Sequence, residues 1–170
     1  MITKKMEQAL NEQINREFYS AYLYLAMSAY CNKLNLPGAE HWFRMQYDEE
    51  VIHMTKMFDY VMQHGGEAHL MKVDEPPHEF GTILDVFEAS LAHEQSVTKW
   101  INELLDVAVE EKDHATQVFL QWYISEQVEE ESNVGDIVQR LTLAGDNGGA
   151  LMMLDDKLYQ RLPPAPLTEN

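Results

Sequence analysis

The chain has 170 residues, of which 45% are hydrophobic, a composition that suits one domain with a full-sized core. Its formal net charge of -17 makes nucleic acid an improbable partner, because a phosphate backbone would be repelled. The one cysteine, Cys31, excludes an internal disulfide and suits the reducing cytoplasm. No segment resembles a signal peptide or a membrane span. We therefore expect a soluble, cytoplasmic single domain over residues 1–170.

The first predicted helix ends near Asn32. Its inward stripe steps by three and four residues from Leu10 to Ser28, which is the period of an amphipathic helix. Glu17 and Tyr24 lie on this stripe among apolar residues. Burying a bare carboxylate costs several kcal/mol even after relaxation, so Glu17 needs a compensating partner.

The second predicted helix begins at Pro37, a residue suited to the first helical turn, and ends at the glycine pair 65–66. Glu50 and His53 both lie on its inward stripe. Residues three apart on a helix are neighbours, so this carboxylate and this imidazole share one face.

The stretch from residue 67 to residue 81 has no helical period and is long for a loop in a compact domain. A crossover along the length of a bundle would explain it, and would make helices two and three parallel. Thr82 and Asp85 resemble a capping box at the start of helix three. The inward stripe of that helix runs from Leu84 to Ala108 and includes Glu94.

Asp113 is the predicted cap of helix four, whose stripe runs from Leu120 to Leu141 and includes Gln127 and Glu130. The glycine-rich residues 145–149 are predicted to end it as a flexible stop, and a short amphipathic helix follows over residues 151–162. The predicted fold is therefore all-α. It is a four-helix bundle with a long crossover between helices two and three and a short fifth C-terminal helix.

Each long helix places a polar residue near its middle, and such inward residues converge at one level of a bundle core. The predicted cluster consists of Glu17, Glu50, His53, Glu94, Gln127 and Glu130. Its four carboxylates match the charge of two divalent cations. Oxygen-rich ligation with one imidazole favours iron or manganese over copper or structural zinc. The alternative, surface glutamates on a structural bundle, requires all four helices to be wrongly phased.

A second acidic group lies beside this cluster and consists of Glu49, Glu126 and Glu129, with Glu130 shared. A solvated acidic face and a third cation site both explain it. Tyr24 could contact a metal ligand or donate an electron, or it could be an ordinary core tyrosine. Cys31 has no cationic neighbour in sequence and is expected to be a passive thiol. The other histidines have no matched partner and are assigned no role.

Four segments together resemble the bacterial and archaeal non-haem ferritins, and the resemblance extends from about Met6 to Leu162. The segments are NEQINRE at 11–17, EEVIH at 49–53, HEQ at 93–95 and FLQWYISEQ at 119–127. The resemblance implies the ferritin-like di-iron carboxylate fold. Bacterioferritins have a haem-binding methionine at the position of Val51 and a second Glu-x-x-His in helix four. This chain has neither, so haem is not expected.

The resemblance also implies roles for the candidate residues. Glu17, Glu50 and His53 match the ligands of a first iron, with Glu50 bridging. The second-iron side is matched by Glu94, Gln127 and Glu130, and the extra third site by Glu49, Glu126 and Glu129. Tyr24 matches the tyrosine beside the centre.

The function implied by the resemblance is iron storage and detoxification. A ferroxidase oxidises Fe(II) to Fe(III) with dioxygen or hydrogen peroxide at the dinuclear centre. The ferric mineral is stored inside a shell of about 24 identical subunits, whose four-fold axis is lined by the fifth helix. A di-iron peroxidase or oxygenase without storage is the alternative enzyme, and it would need a pocket for an organic substrate that the sequence does not indicate.

Overall fold

The computed structural model describes residues 2–165, and within that range the secondary structure is five α-helices without strands. The helices are α1 (Lys4–Lys33), α2 (Pro37–Gln63), α3 (Ile83–Glu110), α4 (His114–Ala144) and α5 (Gly148–Leu158). The all-α prediction is confirmed. None of the described helices has the length and apolarity to cross a membrane. The predicted domain limits of 1 and 170 lie outside the described residues and stay a prediction.

The four long helices pack as two antiparallel pairs, α1 with α2 and α3 with α4. At one end of the bundle the Tyr30 hydroxyl donates to the carbonyl of Gly81 at 2.8 Å. Further along, the Arg16 guanidinium lies 4.8 Å from the centroid of the Trp100 ring. Helix α1 therefore runs antiparallel to both α2 and α3, which makes α2 and α3 parallel, as predicted.

The connection from residue 64 to residue 82 follows the whole length of α1. Near the start of α1, the Asn11 side chain donates to the carbonyl of Glu67 at 2.9 Å and accepts from the amide of His69 at 2.7 Å. Near the end of α1, Lys33 pairs with Glu79 at 2.6 Å. The predicted crossover is confirmed, and the Asn11 side chain of α1 satisfies part of the backbone hydrogen bonding of this connection.

Local residues mark the starts of three helices where the sequence predicts them, and two of the three starts are side-chain caps. Thr82 and Asp85 form the capping box of α3, with the Asp85 amide 3.3 Å from Thr82 Oγ1 and the Thr82 amide 2.7 Å from Asp85 Oδ2. Asp113 caps α4 by accepting from the amide of Thr116 at 3.1 Å. Pro37 occupies the first turn of α2.

The predicted bounds of the fifth helix, 151–162, were wrong. Helix α5 begins at Gly148, because the Asn147 side chain accepts from the amide of Ala150 and caps the helix upstream of the predicted start. It ends at Leu158, and the remaining chain turns back toward α2.

Helix α5 is held against the first turn of α2 by one buried carboxylate. Asp155 Oδ2 accepts from the amide of Gly38 at 2.9 Å, and Oδ1 accepts from the amide of Ala39 at 2.8 Å. A side-chain carbon at Gly38 would overlap the backbone carbonyl of Asp155, so glycine permits the close approach. The C-terminal part of the chain thereby supplies the side-chain cap that the first turn of α2 lacks locally.

Two apolar clusters fill the bundle, one toward each end. One cluster contains Phe43, Phe87 and their neighbours, and the other contains Met57, Leu120 and theirs. The mid-helix polar residues lie between the two clusters in sequence on all four long helices. A polar layer in the middle of the bundle therefore has apolar packing on both sides.

Candidate metal centre

The structure buries all six residues of the predicted core cluster. Their relative exposure is at most 4%, for Glu17, Glu50, His53, Glu94, Gln127 and Glu130. Helix periodicity alone placed them on inward stripes, and the four-helix packing brings those stripes to one level.

Glu17, Glu50 and His53 form a compact group on one side of the polar layer. One potential ligand atom from each lies within 4.8 Å of the others. The Nδ1 atom of His53 lies 3.4 Å from Glu50 Oε2. Glu17 Oε1 accepts from Nε2 of Gln13 at 2.7 Å, which orients this carboxylate from within α1.

Glu94 and Glu130 form the other side of the layer. Glu94 Oε2 accepts from Nε2 of Gln127 at 3.0 Å, and Glu94 Oε1 accepts from the Tyr24 hydroxyl. Glu130 Oε2 accepts from Nε2 of Gln46 at 2.6 Å. Neutral donors thus hold these two carboxylates in place without neutralising their charge.

Two carboxylate oxygens in this layer, Glu17 Oε2 and Glu50 Oε2, are buried without a hydrogen-bond partner among residues 2–165. Such groups are costly, and a native protein normally satisfies them. Within the same range, lysine and arginine make no ion pair with any of the four core glutamates. Oxygen ligands with one imidazole are the donor set that iron accepts, so these residues fit a metal centre.

The electrostatics of the metal-free layer favour protonated carboxyl groups. Burial raises the pKa of Glu50 well above its usual value, and the nearby Glu94, Glu17 and Glu130 raise it further. Burial, with the charge of Glu94, raises the pKa of Glu130 to about 8. The pKa of Glu94 is raised by burial and lowered in part by hydrogen bonds from Tyr24 and Gln127. Protons or metal cations must therefore compensate this layer.

Aromatic side chains enclose the layer. The Trp122 ring lies edge-on to the His53 ring with centroids 5.3 Å apart, and the Tyr123 hydroxyl donates to the His53 carbonyl at 2.8 Å. Burial raises the pKa of Tyr24 well above its usual value, and the neighbouring Glu94 adds to the effect. Tyr24 therefore stays a neutral donor, with its hydroxyl satisfied by a candidate ligand.

The second acidic group is assembled in part. Glu49, Glu126 and the shared His53 offer ligand atoms within 4.8 Å of one another. Glu129, which the sequence also assigned here, is exposed and is not a member of this group among the described residues. Burial raises the pKa of Glu126, an effect opposed by His53 and reinforced by Glu49 and Glu129.

The sequence interpretation gave no role to three residues that the structure places against the site: Gln13, Gln46 and Arg161. Gln13 and Gln46 each precede a core glutamate by four residues, so both lie on the same helix face as that glutamate. This spacing could have identified them. Arg161 contacts Gln46 and Glu49 from beyond α5, and no local pattern indicates such a contact.

Comparison with known proteins agrees with this geometry. The family model for the Ferritin-like domain matches residues 7–144. The bacterial non-heme ferritin of Bacteroides fragilis is 43% identical over 161 residues, which is 95% of this chain and 100% of that protein. The bacterial non-heme ferritin of Staphylococcus aureus is 38% identical, over 95% of this chain and 97% of its own length.

Among solved structures, a form of the Archaeoglobus fulgidus ferritin engineered to be closed by site-directed mutagenesis superposes with a TM-score of 0.95. It is 49% identical and covers 96% of this chain and 100% of its own. Structural agreement and sequence identity thus both extend over nearly the whole chain. The chain belongs to the ferritin family.

Proposed function

We propose that this chain is an iron-storage ferritin subunit with ferroxidase activity, and that Fe(II) is its substrate. Glu17, Glu50 and His53 bind one ferrous ion, and Glu94 and Glu130 bind another, with Glu50 between the two. The observation that carries this proposal is the pair of buried oxygens on Glu17 and Glu50 that lack a hydrogen bond, within a layer of four glutamates. The relatives named as non-heme ferritins support the same chemistry.

The chain's own part in the reaction is charge matching and positioning. Two ferrous ions displace protons held by the carboxyl groups, chiefly those of Glu50 and Glu130, whose pKa values burial raises. Gln13, Gln46 and Gln127 fix the orientation of the carboxylates. Each Fe(II) then gives one electron to dioxygen or hydrogen peroxide, and the iron carries the redox chemistry.

Tyr24 and Gln127 both donate to Glu94 and therefore act on the second-iron side. Gln127 either keeps this amide contact or turns to bind iron weakly. The neighbouring group of Glu49, His53 and Glu126 forms a third, exchangeable iron site at the edge of the centre. Glu129 is an exposed carboxylate outside this group, and its charge acts on Glu126.

Storage requires an enclosed space, and we infer a homo-oligomeric shell of about 24 subunits. Support comes from exposed apolar side chains near the end of α4 and on α5. Leu143, Met152 and Met153 are 87%, 69% and 76% exposed in the isolated chain. Clustered exposed apolar residues are typical of subunit contacts. A cytoplasmic location suits a chain with one buried, unpaired cysteine.

Two substitutions test the ligand assignment. Glu130→Ala and His53→Ala each remove a ligand, and we expect anaerobically loaded Fe(II) to be oxidised at least about tenfold more slowly on mixing with oxygen. Glu88→Ala removes an exposed carboxylate on the same bundle and serves as the control, with the parent rate expected. Stopped-flow absorbance measures the rate, and light scattering checks that each shell assembles. If both ligand variants react at the parent rate, the assignment is wrong.

Particle size tests storage separately from oxidation. We expect the parent protein to elute as a particle of several hundred kilodaltons and to form a ferric mineral when Fe(II) and oxygen are supplied. A monomer or dimer that turns over an organic substrate and deposits no mineral would instead identify a di-iron enzyme without storage.

A further inference from the structure

The chain beyond α5 returns to α2 and is fixed there at Arg161. The carbonyl oxygen of Arg161 lies 2.9 Å from Nε2 of His41. Its guanidinium lies 4.4 Å from the centroid of the Trp42 ring, a cation–π geometry. These contacts with His41 and Trp42 hold Arg161 at one place on α2.

From this position the Arg161 guanidinium contacts two side chains at the edge of the metal centre, Gln46 and Glu49. Arg161 Nη2 donates to Glu49 Oε2 at 2.6 Å, and Nη1 donates to Gln46 Oε1 at 2.5 Å. Gln46 in turn donates to Glu130. Both members of the Arg161–Glu49 ion pair are about four-fifths buried, so solvent screens the pair less than it screens a surface ion pair.

Glu49 therefore has two competing cationic partners. It pairs with Arg161, and it also belongs to the metal-binding group with His53 and Glu126. A divalent ion bound there would have to bind a Glu49 carboxylate that already pairs with the fixed positive charge of Arg161. The four core glutamates differ, since neutral glutamines or a tyrosine hold three of them and leave their negative charge for metal.

We propose that Arg161 is a built-in competitor for Glu49 that weakens cation binding at the edge site, so that iron there exchanges readily. The inference rests on the proposed function, because it assumes that Glu49 and Glu126 receive iron. Arg161 reaches the two core ions only through the neutral amide of Gln46, which remains when the arginine is replaced. Its effect is therefore largest on the third equivalent of metal.

Arg161→Gln tests the competition by removing the charge while keeping a hydrogen-bonding side chain. Anaerobic titration of the assembled, metal-free protein with Co²⁺, followed by calorimetry and visible absorption, separates the equivalents without redox chemistry. We expect the third equivalent to bind about tenfold more tightly than in the parent. The first two equivalents should change less than the third, because Arg161 contacts Glu49 directly but reaches Glu130 only through Gln46.

Two variants control this experiment. Arg140→Gln removes an equal charge from the same cavity that Arg161 lines, without breaking the Glu49 ion pair, and should leave the third equivalent at the parent affinity. Arg161→Lys keeps the charge and should also stay close to the parent. Light scattering and circular dichroism verify that each variant assembles and keeps its helices.

A double variant assigns the effect to Glu49. If Arg161 acts through this carboxylate, adding Arg161→Gln to Glu49→Gln should change the third affinity little. A tenfold gain in the affinity of the third equivalent that persists in the Glu49→Gln background would overturn the inference. So would an unchanged or weaker third equivalent in Arg161→Gln, because Arg161 would then position Glu49 rather than compete for it.

The inference and the proposed function fail in different ways. A parent protein that binds no Co²⁺ in its core, or oxidises no Fe(II), refutes the proposed function whatever Arg161 does. A parent and an Arg161→Gln variant that both bind two equivalents and no third refute the inference and the third iron site, and leave the two-ion ferroxidase centre of the proposed function standing.

Discussion

Glutamine side chains orient the carboxylates of the metal layer by donating hydrogen bonds to them. Gln13, Gln46 and Gln127 each donate to a different core glutamate. A lysine or arginine at these positions would also satisfy the carboxylate, but its fixed charge would replace the charge that a metal ion must supply. Neutral donors orient the carboxylates and keep the layer dependent on cations from outside.

The raised pKa values predict how the stability of the metal-free protein varies with pH. Glu130 has a pKa of about 8 in the folded chain and an ordinary value of 4.5 when unfolded. Between these values the folded state holds more protons, so the free energy of unfolding falls as pH rises. Glu50 contributes in the same direction. We expect the urea midpoint of the metal-free protein to decrease from about pH 5 to about pH 8.

Glu130→Gln is the control for this pH dependence, because it keeps the shape and removes the titration. Its urea midpoint should fall less steeply over the same range. Zn²⁺, which binds without redox turnover, should restore much of the parent's midpoint at the higher pH. Equal slopes for the parent and Glu130→Gln would show that this carboxyl group does not titrate as its burial implies.

Helical period was sufficient to place the six core residues, since each interrupts an apolar stripe near the middle of its helix. Gln13 and Gln46 each lie four residues before a core glutamate. The hydrogen bond of Gln13 to Glu17 lies within α1, whereas that of Gln46 to Glu130 crosses the core and needed the packed structure. An apolar stripe indicates which face of a helix points inward, but not which residue of another helix lies opposite it across the core. Arg161 fell inside the predicted fifth helix, 151–162, but α5 ends at Leu158, and its contact with Glu49 spans 112 residues of sequence, which no local pattern indicates.

Helix boundaries follow from nearby residues when the cap is local. Thr82, Asp85 and Asp113 cap within three residues, and the sequence predicts all of them. Asn147 is also local, but the glycines after it suggested a flexible stop, so the start of α5 was placed too late. Asp155 caps α2 from a position 117 residues away from Gly38, and no local pattern can indicate that contact.

Asp155 is expected to stabilise the docking of α5 against the start of α2. Its carboxylate accepts from the amides of Gly38 and Ala39 at the positive end of the helix dipole. Asp155→Ala should lower the free energy of unfolding by about 0.5–2 kcal/mol, the usual cost of losing a cap. Asp156→Ala, at an adjacent exposed position, should change it by less than about 0.5 kcal/mol. Chemical denaturation compares the two, and equal effects would refute the capping role.

The whole molecule combines a negatively charged chain with a polar layer held between two apolar clusters. The net charge of -17 raises the local concentration of cations, and the clusters around Phe43 and Met57 pack on the two sides of the layer. Ferrous ions would thus be attracted from solution and bound where bare carboxylates are least stable. The family and bundle could be predicted from the sequence, whereas the shell depends on contacts between chains.

Locating iron directly tests the central claim that paired metal ions neutralise the buried carboxylates. Crystals of the parent protein would be soaked anaerobically in Fe(II), and anomalous scattering at the iron edge would place the ions. We expect two strong peaks flanking Glu50, one beside Glu17 and His53 and the other beside Glu94 and Glu130. Peaks confined to the exposed acidic surface, with none among the buried glutamates, would contradict it.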